Sequence, residues 1–124
     1  MKPDGNGTTL CESFRCAFRG AYLPLSERNM QIHLVAALFA IATGLLLKIS
    51  NLEWCAIIIV IGDVISREIQ NSAIETSVDL YCPDHNPKAR DSKDKAAGAV
   101  LVSAIRAVIV GAIIFAPKIM ALYN

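Results

Sequence analysis

Three long, mostly apolar segments dominate the chain, and short polar stretches separate them. They run from about residue 27 to 50, from 54 to 81 and from 94 to 122. Strand-like alternation is missing, and the β-branched run at 57–61 sits inside a long apolar segment, which favours helix. The pattern therefore predicts an all-α fold built on three long helices.

A shorter amphipathic segment precedes them. Residues 10–23 place apolar side chains at helical spacing with arginines between them, and Pro24 ends the segment. This pattern suits a helix lying on an anionic membrane surface, and equally a helix packed on a soluble core. Residues 1–9 are polar, so we expect a disordered tail followed by a single domain over 10–124.

Composition favours a membrane for the three long segments. The chain of 124 residues is 54% hydrophobic and 19% charged, which is apolar for a soluble domain. The uncharged core of the first segment, 34–47, is shorter than the roughly 20 residues of a spanning helix, but His33 and Lys48 can extend it by snorkelling. The net charge of +1 gives no bulk attraction to nucleic acid. We therefore predict an integral membrane protein with three transmembrane helices and an N-terminal surface helix.

Basic residues near the helix ends predict the orientation. The loop after the first segment has Lys48 alone, whereas the N-terminal side and the second loop each carry several cations. Since short cytoplasmic loops are enriched in Lys and Arg, we expect the N-terminus and the second loop to be cytoplasmic.

A polar stripe interrupts the second segment. Glu68, Asn71, Glu75 and Asp79 fall on one face of a helix. Ionisable groups at membrane depth are costly and suggest a functional site. Carboxylates suit Mg²⁺, and one more carboxylate can accept a hydroxyl proton. The alternative is a solvated helix face, or a set of carboxylates paired with Lys and Arg.

Two smaller clusters flank this stripe. Lys93 and Asp94 lie at the predicted start of the third helix, where Ser92 or Asp94 can cap and the helix N-terminus favours phosphate. Plain capping explains the same residues. Glu27 precedes the first long helix at the predicted depth of Glu75, and either completes a metal site or is an ordinary carboxylate of a helix start.

Common cofactor motifs are missing from the sequence. There is no Gly-rich phosphate loop, and the four cysteines and two histidines lack zinc-site spacing. Any nucleotide must therefore be bound in an unusual way.

Three motifs resemble the prokaryotic diacylglycerol kinase family. Residues 68–75, Glu-Ile-Gln-Asn-Ser-Ala-Ile-Glu, resemble its signature Glu-x-x-Asn-(Ser/Thr)-Ala-Ile-Glu. Residues 93–100 resemble its Lys-Asp motif. Residues 27–29, Glu-Arg-Asn, with His33 resemble the subgroup that includes undecaprenol kinases. The similarity covers roughly residues 14–118.

The resemblance implies a lipid kinase of the bacterial inner membrane, a homotrimer that transfers the γ-phosphate of Mg-ATP to a lipid hydroxyl. Sites in the family lie between subunits at the cytoplasmic interface. By motif, Glu68 resembles the general base and Asn71 the residue that positions the reacting groups. Glu27 and Glu75 resemble the metal ligands that hold Mg-ATP. The nucleotide contacts implied are Asp84, His85, Asn86, Lys93 and Asp94, with the loop residues 84–86 matching more loosely.

Several charged or polar residues depart from the family pattern. On the second helix they lie opposite the Glu68 stripe, and Asp63 and Arg67 have the i, i+4 spacing of an ion pair. Three interpretations compete: a polar network buried in the trimer, a face toward a partner or water, or an altered sequence. The residues concerned are Asp63, Arg67, Gln70, Ser77, Lys95 and Arg106.

A lipid kinase is the favoured function, with undecaprenol preferred over diacylglycerol because of the Glu-Arg-Asn and His33 pattern. The main alternative is a non-catalytic three-helix protein that keeps the family framework, as an inactive or engineered variant would. A proton-coupled transporter is a weaker third hypothesis.

Overall fold

The structure is a computed structural model that describes residues 9–124. Within that range every regular element is helical, which confirms the all-α prediction. Of the predicted tail, residues 1–8 lie outside the described residues. The elements are α1 (Leu10–Tyr22), a 3₁₀ turn (Leu23–Ser26), α2 (Arg28–Leu46), α3 (Asn51–Tyr81) and α4 (Pro87–Tyr123).

Helix α1 begins with a capping box and lies apart from the core. The Thr9 hydroxyl accepts from the Glu12 backbone N–H, and the Glu12 carboxylate accepts from the Thr9 N–H. No residue of α1 is buried, and its apolar face, which includes Phe14 and Phe18, is exposed. An amphipathic helix with an uncovered apolar face is the form that lies on a membrane surface.

A tight turn joins α2 to α3. Lys48 has a φ of 51°, and the Ile49 N–H donates to the Gly44 carbonyl at 3.2 Å. The Lys48 N–H donates to the Leu45 carbonyl, which completes a Schellman motif. Gly44 is required beside this turn, because a Cβ there would lie 2.8 Å from the Trp54 ring.

Helix α3 begins earlier than the apolar pattern indicates. Ser50 is its N-cap, and Ser50 and Glu53 form a second capping box. Asn51 and Glu53 precede the apolar segment that begins at about residue 54, yet they form the first turn of α3. The capping box follows the Ser-x-x-Glu pattern, so the signal was present in the sequence.

Helix α4 also begins earlier, at Pro87 and not at Asp94. Asn86 is the N-cap and its side chain accepts from the Lys88 N–H at 2.9 Å. Proline suits the first helical turn because it has no N–H to satisfy there. The prediction that Ser92 or Asp94 caps this helix is therefore wrong. Pro117 does not end α4, which continues to Tyr123.

Packing is concentrated between α3 and α4, with α2 making fewer contacts to either. Ile49, Ile57 and Ile114 form the buried apolar cluster, and Trp54 and Phe115 pack against it. This cluster lies at the end of the molecule where α2 turns into α3. Toward the opposite end of the bundle, buried polar residues such as Glu68 and Asn71 lie among apolar ones such as Met30 and Val100.

Charged side chains also tie α3 to α4. Asp63 accepts from the Arg106 guanidinium, and Arg67 Nε lies 3.6 Å from Asp63 Oδ1, as its i, i+4 spacing indicated. Nearer the α2–α3 turn, Lys118 Nζ lies 3.3 Å from Glu53 Oε1. Arg67 and Arg106 remain about half exposed. Four of the polar departures, Asp63, Arg67, Gln70 and Arg106, thus form one cross-helix cluster.

The outward surface is strongly apolar. Leu38, Phe39, Leu46 and Ile113 are each more than 60% exposed. Soluble monomers rarely leave such side chains uncovered over large areas. Helices α2 and α4 are long and apolar enough to cross a membrane. Helix α3 does not meet the same criterion of length and composition, because one half of it is charged. A third spanning helix therefore stays a prediction.

Candidate active site

Glu68 lies in the middle of α3 and is only 2% exposed. Its Oε2 is 3.8 Å from His33 Nε2 on α2, and its Oε1 is buried without a hydrogen-bond partner. Such groups are rare in folded proteins, since an unsatisfied polar atom costs free energy. A carboxylate oxygen left open in this way is available to a ligand.

Asn71 lies one turn further along the same face of α3 and is 4% exposed. Its Nδ2 donates to Glu75 Oε1 at 3.2 Å, while its Oδ1 is buried and unpaired. Over residues 9–124, this oxygen and Glu68 Oε1 are the two buried side-chain polar atoms without a partner. Two unpaired acceptors on neighbouring turns indicate a site and not an accident of packing.

Glu27 reaches this face from the start of α2. Its backbone caps α2, but its side chain makes no cap and instead accepts a hydrogen bond from the Ser72 hydroxyl. The His33–Glu68 contact forms a second link between the same two helices, six residues further along α2 and four residues back along α3. The two contacts fix α2 and α3 antiparallel and bring Glu27 to the Glu68–Glu75 stripe.

A cleft of about 210 Å³ opens over Glu68 and Asn71. Asn29 and His33 on α2 form one wall, and α4 forms the other. The α4 wall consists of small and apolar residues: Ala97, Val100, Leu101 and Ala104. The cleft is therefore polar on its α2 and α3 sides and apolar on its α4 side.

A larger apolar cleft of about 400 Å³ lies between α2, α3 and α4. His33 and Ala104 line this cleft as well as the cleft over Glu68. Its other lining residues are Ala36, Ala37, Ala40, Ile57, Val60, Ile61, Val64, Ile65, Ala107, Val108, Gly111 and Phe115. The two clefts consequently share part of their wall.

A third cleft, of about 440 Å³, lies at the loop between α3 and α4. Asp84, His85, Asn86 and Lys93, all predicted nucleotide contacts, line it together with Asp79 and Arg90. Lys93 donates to the Asp79 carboxylate, which joins this cleft to the end of the α3 stripe. The α4 start at Pro87 places Lys93 within the helix, so it reaches the cleft from the second turn.

Glu27 and Glu75 line none of these clefts, and neither does Asp94. It is 72% exposed, and its Oδ2 lies 3.9 Å from Arg90 Nε. Because Arg90 lines the loop cleft, Asp94 contacts the cleft wall and not its interior.

Over the described residues, no three His, Cys, Asp or Glu side chains come together as a metal site. Glu27 nevertheless contacts Ser72 and Glu75 contacts Asn71, so the two carboxylates bond to adjacent residues of α3. Mg²⁺ is usually held by one or two carboxylates, with phosphate and water completing its shell. Two carboxylates beside an unpaired amide oxygen fit that requirement, whereas zinc would need a fuller protein set.

Two residues of this site were not predicted to act in it. Ser72 holds Glu27, and His33 contacts Glu68 and lines two clefts. Ser72 lies within the signature motif, one turn beyond Glu68, so its place on the active face could have been read from spacing. The sequence linked His33 only to a subgroup of the family, because its contact with Glu68 depends on how α2 packs against α3.

Comparison with known proteins points to one family. The family model for prokaryotic diacylglycerol kinase matches residues 15–115. The chain belongs to this family. Over 109 residues it is 43% identical to a Bacillus subtilis protein named undecaprenol kinase, covering 87% of this chain and 89% of the relative. Over 115 residues it is 35% identical to a Synechocystis protein named diacylglycerol kinase, covering 91% of this chain and 66% of the relative.

Proposed function

We propose that this protein is a membrane lipid kinase that transfers the γ-phosphate of ATP to the hydroxyl of a lipid alcohol. The observation that carries the proposal is Glu68, a buried residue that lines a cleft and keeps one carboxylate oxygen without a hydrogen-bond partner. Family membership supports the same reaction class, and both named relatives are lipid kinases.

Glu68 is the proposed general base. The lipid hydroxyl oxygen attacks the γ-phosphorus, the hydroxyl proton passes to Glu68, and the bond from phosphorus to the ADP oxygen breaks. His33 lies 3.8 Å from the other carboxylate oxygen, which holds the carboxylate and leaves Oε1 for the substrate. Asn71 positions the reacting groups with its free Oδ1. Positioning of this kind accounts for most of the catalysis in phosphoryl transfer.

Glu27 and Glu75 are the proposed Mg²⁺ ligands. The Ser72 hydroxyl orients Glu27 and the Asn71 amide orients Glu75. The bound ion supplies charge neutralisation for the phosphate oxygens. Asp84, His85, Asn86 and Lys93 are the proposed nucleotide contacts, since they share the loop cleft. Asp94 is included among the proposed nucleotide contacts because it pairs with Arg90, which lines the same cleft.

Undecaprenol is the proposed substrate in preference to diacylglycerol. The first relative carries the name undecaprenol kinase, and the Glu27–Asn29 and His33 pattern resembles that subgroup. The proposal includes three spanning helices, a homotrimer in the bacterial inner membrane, and a cytoplasmic N-terminus. It also includes a role in lipid recycling for phospholipid or cell-envelope synthesis.

A radiolabelled ATP assay in mixed micelles tests the proposal. The arms are undecaprenol, diacylglycerol and no lipid, each with and without Mg²⁺. Label in the undecaprenol product, dependent on Mg²⁺, is the expected result. A folded protein that labels neither lipid would instead support the non-catalytic alternative. The charged cluster of Asp63, Arg67 and Arg106, foreign to the family pattern, is the observation in favour of that alternative.

A further inference from the structure

The cross-helix cluster on α3 and α4 carries one positive charge that it does not neutralise. Its two arginines share a single carboxylate: Arg106 donates to Asp63 Oδ2, and Arg67 Nε lies 3.6 Å from Asp63 Oδ1. Both guanidinium groups stay about half exposed. A guanidinium has five N–H donors in a planar fork, and the contacts with Asp63 occupy only some of them. The exposed side of the cluster therefore offers both a positive charge and unused donors.

Gln70 and Lys95 extend this positive surface toward the loop between α3 and α4. Arg67 Nη1 donates to Gln70 Oε1 at 3.5 Å, so the amide N–H groups of Gln70 are further donors. Lys95 precedes Arg106 on α4 by about three helical turns and so lies on the same helix face. Its side chain is exposed and has no hydrogen-bond or ion-pair partner among residues 9–124. Three cations thus share this face with one carboxylate.

Exposed apolar side chains lie beside the cluster on its other side. Ile59 is one turn before Asp63 on α3, and Ile109 and Ile113 are one and two turns after Arg106 on α4. Each of these isoleucines is more than half exposed. A helix face that passes from uncovered aliphatic side chains to cations suits the boundary between the hydrocarbon and the headgroups of a membrane.

Arg67 lies at the depth proposed for the hydroxyl of the lipid substrate, but on a different side of the molecule. It directly precedes Glu68 in the chain, yet it is half exposed where Glu68 is buried. Cations between transmembrane helices at the cytoplasmic surface bind anionic lipid headgroups. A phosphodiester carries one negative charge, and its oxygens accept paired hydrogen bonds from a guanidinium. That charge equals the one that the cluster leaves uncompensated.

A second copy of the chain is a less suitable occupant of the same face. It would have to bring a carboxylate to the level of Arg67. Helix α2 contains no Asp or Glu, and those of α4, Asp91 and Asp94, lie in its first turns. The α3 carboxylates nearest to this level, Glu68 and Glu75, are assigned to the active site. Charge complementarity therefore favours a lipid phosphate.

We propose that the cross-helix cluster, together with Lys95, binds the phosphate group of an anionic phospholipid at a site separate from the catalytic one. The two arginines and Gln70 donate to the phosphate oxygens, and Lys95 adds attraction from the headgroup side. Because Arg67 belongs to α3 and Arg106 to α4, a phosphate held by both stabilises the pairing of these helices. The inference uses the membrane placement of the proposed function and none of its chemistry.

Native mass spectrometry of the purified protein, without ATP or a lipid alcohol, tests the site. The protein is placed in micelles that contain phosphatidylglycerol or phosphatidylcholine, and the phospholipid retained per chain is counted. We expect phosphatidylglycerol to be retained in preference to phosphatidylcholine, whose headgroup is zwitterionic. Arg67→Gln should raise the apparent Kd for phosphatidylglycerol about tenfold or more, since it removes charged hydrogen bonds to the phosphate.

Two further variants separate the fork geometry from charge alone. Arg67→Lys keeps the charge and loses the planar fork, so its Kd should lie between those of the wild type and Arg67→Gln. Lys118→Gln is the matched control, because Lys118 is also a cation paired with a carboxylate, Glu53, but at the far end of the bundle. An equal loss in Lys118→Gln, or equal retention of the two phospholipids, would overturn the inference.

The same spectra distinguish a lipid from the other possible occupants. Glycerol 3-phosphate has a phosphate group but no acyl chains, and we expect it not to displace phosphatidylglycerol. Displacement would show that the cluster binds free phosphate, against the inference. If Arg67→Gln separated an oligomer into single chains and left phosphatidylglycerol binding unchanged, the face would belong to a second copy.

Thermal unfolding gives an independent measurement and checks that the variants fold. Phosphatidylglycerol should raise the melting temperature of the wild type above its value in phosphatidylcholine, and Arg67→Gln should lose this increase. An increase that Arg67→Gln kept in full would contradict the site. Since neither measurement involves ATP, a failure to phosphorylate lipids would count against the proposed function and leave this inference standing.

Discussion

Glu68 and Asn71 each keep one buried oxygen without a partner, and both residues line the same cleft. Leaving a polar atom in this state costs about 1 to 3 kcal/mol. The fold tolerates that cost at two neighbouring turns of one helix, where the proposed reaction needs acceptors. The other polar atom of each side chain has a partner. His33 Nε2 lies 3.8 Å from Glu68 Oε2, and Asn71 Nδ2 donates to Glu75 Oε1.

Ser72→Ala should weaken the proposed metal site without removing a ligand. The Ser72 hydroxyl donates to Glu27, and hydrogen bonds to charged groups are worth about 1.5 to 3 kcal/mol. We expect the Mg²⁺ concentration for half-maximal activity to rise about tenfold, with a smaller change in kcat. Ser72→Thr keeps the hydroxyl and is the control. An unchanged Mg²⁺ dependence in Ser72→Ala would show that this bond does not orient a metal ligand.

Local sequence signals determine where the helices begin and end, and some of these signals were easier to recognise than others. The apolar segments predicted the long helices, but the starts of α3 and α4 were placed too late. Ser50 and Asn86 begin these helices through side-chain caps, followed by polar residues that apolar periodicity does not count. The Asn-Pro pair at 86–87 lies in the predicted loop, although proline is suited to a first helical turn.

Lys48→Gly should stabilise the α2–α3 turn. Lys48 occupies the left-handed region at φ 51°, which costs a residue with a Cβ about 1 to 2 kcal/mol. Glycine avoids that cost, so the free energy of unfolding should rise by about 1 kcal/mol. Denaturant titration of the detergent-solubilised protein measures it. Lys48→Ala removes the same charge and keeps a Cβ, so a similar gain there would refute the backbone explanation.

The whole molecule combines an apolar outer surface, a charged cluster between α3 and α4, and polar clefts at one end. The contacts of Glu27 with Ser72 and of Arg106 with Asp63 join residues more than 40 positions apart. Such contacts depend on the rotation and pairing of whole helices, which one sequence does not specify. The placement of Glu68, Asn71 and Glu75 on one helix face was predictable from their spacing along α3. The apolar cleft of about 400 Å³ was not, because three helices form it.

Cysteine labelling tests whether α3 crosses the membrane as the third span. Two variants each carry one cysteine in a background without the native ones, Asn51→Cys in the first and Asn124→Cys in the second. Both should react with a membrane-impermeant maleimide applied from outside. Cys82, kept alone in a parallel variant, should react only after permeabilisation. Three spans put Asn51 and Cys82 on opposite sides, so labelling of both from one side would show that α3 does not cross.

The Asp63–Arg106 pair should couple α3 and α4. Asp63→Asn leaves two arginines without their carboxylate, so it should destabilise more than Arg67→Gln, whose pair is 3.6 Å and half exposed. A double-mutant cycle with Arg106→Gln should give a coupling of about 0.5 to 1 kcal/mol in the free energy of unfolding. A coupling of zero would show that the pair is incidental to helix packing.

The most direct test of the central claim is Glu68→Gln, measured for lipid phosphorylation and for nucleotide binding in the same preparation. Glutamine has the same shape but cannot take up the hydroxyl proton. We expect kcat for undecaprenol to fall by about 10² to 10⁴, while the Kd for Mg-ATP stays near the wild-type value. Glu75→Gln should instead weaken Mg-ATP binding. If Glu68→Gln retained most of the wild-type kcat, Glu68 would not be the base and the mechanism would be contradicted.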